Sequence, residues 1–114
     1  MKNKVAEIGF DNDLCSLIKL NKKEGFDILY DQYSGILFGI AFAALRSNTY
    51  AEEVVQLTFI RVWNSIELYK CQQSFHIWII QLLIISSKEF LDSKNVTYTF
   101  NYTHFPQFSF DFAP

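Results

Sequence analysis

The chain has 114 residues, 50% of them hydrophobic and 18% aromatic, which excludes a disordered segment and suits one domain with a modest core. A formal net charge of −2 argues against autonomous binding of duplex DNA through its phosphates, which calls for a basic surface. Four Gly, two Pro and apolar residues at helical spacing point to an all-α fold, a small bundle of four to five helices. Cys15 and Cys71 are isolated and read as free thiols of a reducing, cytoplasmic compartment. Met1-Lys2-Asn3-Lys4 leads into mixed polar sequence rather than a signal-peptide run. The longest apolar runs, 35–45 and 77–85, are too short to span a bilayer, so no membrane span is expected.

Residues 1–10 read as an extension and residues 11–94 as the helical domain. Asp11 or Asp13 can cap a short first helix through Leu14, Leu17, Ile18 and Leu20. Lys22, Lys23 and Glu24 then form a charged break, and Gly25 loosens the chain. Phe26, Leu29, Tyr30 and Tyr33 recur at three and four residues and predict a helix. Ser34 either caps a new helix or lies within a continuing one; residues 36–45 are apolar almost all round, as in a helix buried on several sides. Residues 46–49 are a stop followed by a cap, with Thr49 and Glu52 spaced as a capping box.

The helix that follows, to about Ile66, divides into two faces at ~100° per residue. Ala51, Val55, Phe59, Val62 and Ile66 make a core stripe, while Glu53, Gln56, Leu57, Ile60 and Asn64 share the other side. The second set mixes acid, amide and apolar groups, as a protein-binding face does when it must stay soluble while free. The plainer reading is a surface helix with two stray hydrophobes. Residues 67–74 form a polar connection, and Ser74 caps a last helix from Phe75 to about Ser93. Residues 95–114 change character: Val96, Tyr98, Phe100 and Tyr102 alternate with polar residues like a strand, and Pro106 ends the pattern. One strand with no sheet to join makes this aromatic tail either a loosely packed, irregular extension or an aggregation risk.

No enzyme site is apparent. His76 and His104 stand alone, there is no Gly-rich phosphate loop, and no paired carboxylates accompany a plausible base. Neither a cofactor nor a metal site is expected.

Gly25-Phe26-Asp27-Ile28-Leu29-Tyr30-Asp31-Gln32-Tyr33, then Leu45-Arg46-Ser47, then Ala51-Glu52-Glu53-Val54-Val55-Gln56-Leu57-Thr58-Phe59, resemble region 2 of bacterial sigma-70 factors, above all the small extracytoplasmic-function (ECF) group. The likeness is close over residues 24–69 and looser to Lys94. It implies transcription initiation: docking on a coiled coil in the largest subunit of core RNA polymerase through Glu53, Gln56, Leu57 and Ile60, and promoter DNA contact only within that holoenzyme. The resemblance further assigns −10 element contacts to Tyr69, Lys70, Gln72, Gln73, Phe75, His76 and Lys88, with Trp78 packing in the core. An interaction module without promoter activity, such as a decoy for an anti-sigma factor, is the alternative.

Three departures matter. Leu57 replaces a usual acid, which weakens charge steering towards the polymerase. On the last helix Gln81, Ile84, Ile85, Lys88 and Asp92 share a face, so family Arg and Asn are replaced by Ile and a later Arg by Asp. Each such replacement at a DNA-facing position weakens binding by ~1–3 kcal/mol. After Lys94 the 20 residues 95–114 hold no helix-turn-helix, so the resemblance implies region 2 without region 4. That fits a truncated or frame-disrupted gene product, which the tail favours, or a stand-alone derivative.

Overall fold

Asn21 begins the longest element. Its side chain accepts a hydrogen bond from the Glu24 N–H (3.2 Å) and caps helix α1, Lys22–Leu45, in the computed structural model, which describes residues 16–69 and 74–113. Lys22, Lys23 and Glu24 are thus the first turn of a helix rather than a break, and Lys23 pairs with Asp27 one turn on at 2.8 Å. The helix also runs straight through Ser34. Leu29, Tyr33, Leu37, Ala41 and Ala44 form an unbroken buried stripe at three- and four-residue spacing, and Gly35 and Gly39 face open space. Gly25 has a packing role: a Cβ there would lie 2.5–2.8 Å from Ile18, two of the three nearest atoms being backbone. The absent side chain lets helical residues 16–20 cross close above α1. The proposed caps Asp11 and Asp13, and Cys15 and Cys71, lie outside the described residues.

Running unbroken through Ser34, α1 is long and apolar enough, by length and composition, to cross a membrane. Its buried stripe packs against the next helix and the last strand of the chain, with a third of the apolar window buried.

Arg46 ends α1 in the left-handed region (φ 56°), its N–H bonded to the Phe42 carbonyl at 2.7 Å. Ser47 then caps α2, Asn48–Ser65, by accepting from the Tyr50 N–H at 3.1 Å. The cap therefore falls two residues before Thr49, and the Thr49/Glu52 box does not form the helix start. Ala51, Val55, Phe59, Val62 and Ile66 are all buried, as their spacing predicts; each larger one contributes ~1.5–3 kcal/mol. A 3₁₀ turn, Ile66–Leu68, ends this segment. Ser74 caps α3, Phe75–Ser93, through the Ile77 N–H (3.4 Å), so both ends of that helix fall where the sequence puts them. Helix α2 packs between α1 and α3, giving the expected helical bundle. Buried Thr58 and Ser87 satisfy their hydroxyls on the Val54 and Leu83 carbonyls at 2.7 and 2.8 Å.

The aromatic tail finds the partner that one strand lacked. β1, Tyr98–His104, pairs antiparallel with β2, Gln107–Phe112, across the Phe105–Pro106 turn, whose peptide bond is cis. Phe108 and Phe110 point into the core, and β2 lies along α1. The Arg46 guanidinium donates to the Phe110 carbonyl at 2.7 Å, tying the end of α1 to the hairpin. At the other end, the Phe105 ring sits 6.3 Å from His76.

The Tyr98 hydroxyl donates to Asp92 Oδ1 at 3.2 Å. Burial raises the Tyr98 phenol above its ordinary 10.0, and the bond to Asp92 and that carboxylate's charge add to it. A pKa raised on folding stabilises the protein fully below the unfolded value and is lost as pH rises through the folded one. The contribution of the Tyr98–Asp92 contact is therefore complete below pH 10 and is lost in stronger alkali. Tyr98→Phe should flatten the alkaline limb of a Tm-against-pH curve; an unchanged limb would show that Tyr98 does not carry it.

Candidate docking face on the second helix

Once Ala51, Val55, Phe59 and Val62 turn inward, the helical repeat leaves no choice for the opposite side. Glu53, Gln56, Leu57, Ile60 and Asn64 all lie exposed on the outer face of α2, with Ile60 57% and Leu57 39% accessible. Leu57, Ile60, Arg61, Asn64, Ser65 and Glu89 line a shallow cleft of about 360 Å³ between α2 and α3. A smaller groove beside Gln56 runs along α1, lined by Tyr30, Ser34, Phe38, Glu52 and Val55. The face can therefore offer apolar contact at its centre and polar groups at both margins, the arrangement of a hot spot with a rim.

Arg61 belongs to the same cleft although nothing in the sequence marks it. Its Nε donates to Ser86 Oγ at 3.3 Å and its Nη2 pairs with Glu89, both on α3. The bridge fixes the floor of the cleft and sets a cation beside Leu57. No local signal announces it, because its partners lie 25 and 28 positions away. Trp63, 36% exposed, is held edge-on by Phe26 (5.1 Å) with the Lys22 ammonium 4.2 Å over its ring.

The other sequence-derived residues divide between core and hairpin. Phe75 is fully buried among Tyr33, Tyr69 and Trp78, at centroid distances of 5.9, 5.6 and 5.4 Å. Tyr69 is buried as well, stacked on Trp78 at 4.5 Å, with Lys19 donating to its carbonyl at 2.6 Å. Trp78 is half-buried in that cluster. His76 is half-buried between Tyr33 and Phe105. Lys88 places its ammonium 4.1 Å over the Phe100 ring of β1. Lys70, Gln72 and Gln73 lie outside the described residues. On the shared face of α3, Gln81 and Asp92 are exposed, Ile85 is 42% accessible and Ile84 is half-buried against the core. Among the described residues no three His, Cys, Asp or Glu side chains converge as metal ligands do.

Helices α1, α2 and α3, with a short capped turn between the first two and an outer α2 face of mixed character, form a small helical bundle. The family model for Sigma-70 region 2 matches residues 29–95, more than half of the chain, and the protein belongs to this family. It is similar to the ECF RNA polymerase sigma-E factor of Haemophilus influenzae, 24% identical over 90 residues that cover 79% of this chain and 47% of that protein. The chain thus spans about half the length of that curated relative. The β-hairpin lies wholly beyond the matched region.

Proposed function

We propose that this protein acts in transcription initiation by docking on core RNA polymerase through the outer face of α2. The observation that carries the reading is the joint exposure of Glu53, Gln56, Leu57 and Ile60 on a helix whose opposite stripe is wholly buried. Glu53 and Gln56 supply a carboxylate and an amide for Arg and backbone groups on a helical partner, such as the coiled coil of the largest subunit. Leu57 and Ile60 exclude water beside them. The name of the Haemophilus influenzae relative, an RNA polymerase sigma factor, supports this partner.

Promoter DNA recognition is weak in this reading and occurs only within the holoenzyme. Lys88, the single Lys or Arg on α3, is engaged by Phe100, and the carboxylate of Asp92 stands on the same face. The exposed Ile85 favours a second use of that face, contact with a protein such as an anti-sigma factor.

The test is binding of the purified chain to core polymerase from its own host. Glu53→Lys with Gln56→Ala, both at exposed positions, should weaken association by at least ~10-fold while leaving the circular dichroism spectrum unchanged. Association unaffected by the pair of substitutions would overturn docking through α2.

A further inference from the structure

Among the described residues nothing pairs with the outer edge of β1, and its sequence has a symmetry that suits pairing with a second copy. The Ala113 N–H donates to the Thr97 carbonyl at 3.0 Å, which sets the phase of the ladder. With the register Tyr98↔Phe112 and Phe100↔Phe110, residues 99 and 101 exchange hydrogen bonds with β2, while Tyr98, Phe100 and Tyr102 turn their N–H and C=O groups away from it. The bond from Arg46 to the Phe110 carbonyl confirms that phase on the other strand. On the β1 edge no described group hydrogen-bonds to those outward backbone atoms. No described helix has a Cα within 8 Å of a β1 Cα.

Soluble proteins guard such edges with Lys, Pro, a short strand or a bulge. Here no Asp, Glu, Lys or Arg occurs between Lys94 and Asp111, and the bulge comes only after Tyr102. The segment Thr97-Tyr98-Thr99-Phe100-Asn101-Tyr102-Thr103 reads nearly the same in both directions. Laid antiparallel on a second copy about Phe100, it sets Tyr98 opposite Tyr102, Phe100 opposite Phe100, Thr99 opposite Asn101 and Thr97 opposite Thr103. Aromatic meets aromatic on the inner face, and hydroxyl meets hydroxyl or amide on the outer one, both favourable cross-strand pairings. In this same register every outward-turned residue faces another outward-turned residue. A slip of one position would destroy both matches.

We propose that the free edge of β1 is a homodimer interface, joining two hairpins into one four-stranded antiparallel sheet on a two-fold axis through Phe100. The contact is isologous, so it closes on itself. Growth beyond two copies is disfavoured because Arg46 takes the Phe110 carbonyl on the far edge of β2, beside α1.

Sedimentation or light scattering of the full chain across micromolar concentrations should give twice the 13.4 kDa chain mass. Thr97→Lys with Thr103→Lys puts like charges opposite each other across the two-fold axis, at exposed positions on the polar face, and should return the monomer. Thr97→Lys with Thr103→Glu sets opposite charges there and should restore the dimer. Circular dichroism checks that each variant folds. A wild-type monomer throughout, a dimer indifferent to the paired lysines, or a folded Lys/Glu variant that stays monomeric would each overturn the proposal. Pairing of a monomeric chain with an unrelated extended peptide would also count against a second copy as the occupant.

Discussion

Phe110→Ala is expected to cost ~3–5 kcal/mol, a large share of the ~5–15 kcal/mol that holds a domain of this size together. The side chain is fully buried, with the rings of Phe100, Tyr98 and Phe108 at 5.3, 5.2 and 5.9 Å. Its truncation opens a cavity where the hairpin meets α1, and the carbonyl of the same residue holds Arg46. Urea unfolding followed by far-ultraviolet circular dichroism would measure the loss. Phe112→Ala, at a half-buried ring, is the control and should cost distinctly less. A loss below ~1 kcal/mol for Phe110→Ala would mean that the hairpin unfolds independently of the helices.

Phe75→Ala should cost about as much, ~3–5 kcal/mol, but with a different signature. Phe75 opens α3 and joins Tyr33 of α1 to the Tyr69–Trp78 stack. Removing the ring leaves Trp78 without one of its walls, so its fluorescence should shift in the native state, before denaturant is added. Phe110 touches neither Trp residue among its ring contacts, so Phe110→Ala should leave native emission nearly as it is. Equal emission changes in the two variants would contradict this separation of the aromatic clusters.

Local rules carried much of the fold. The stripe from Ala51 to Ile66 and the Ser74 cap follow from periodicity and capping chemistry, which depend only on near neighbours. Helix α1 also held its answer in the sequence: Leu29, Tyr33, Leu37 and Ala41 keep one face through Ser34 and Gly35, so the apparent break was never on the packed side. The hairpin was half legible. Alternation in 98–102 marked β1, and Phe108, Phe110 and Phe112 carry the same period of two, but Pro106 read as an end when it is a turn. The outer face of α2 came free with its inner one. Arg61 with Glu89, and Lys88 with Phe100, depend on how separate elements dock, and no spacing rule contains that information.

The tie between Arg46 and Phe110 joins positions 64 apart in the chain. On the ribosome, α1, α2 and α3 are made before the residue that seals the trough beside α1. A nascent chain therefore carries an open, apolar groove for the time it takes to add the hairpin, and closing it joins positions far apart in the chain. Late closure leaves that groove open to neighbouring chains while synthesis finishes, an exposure that partly folded chains share.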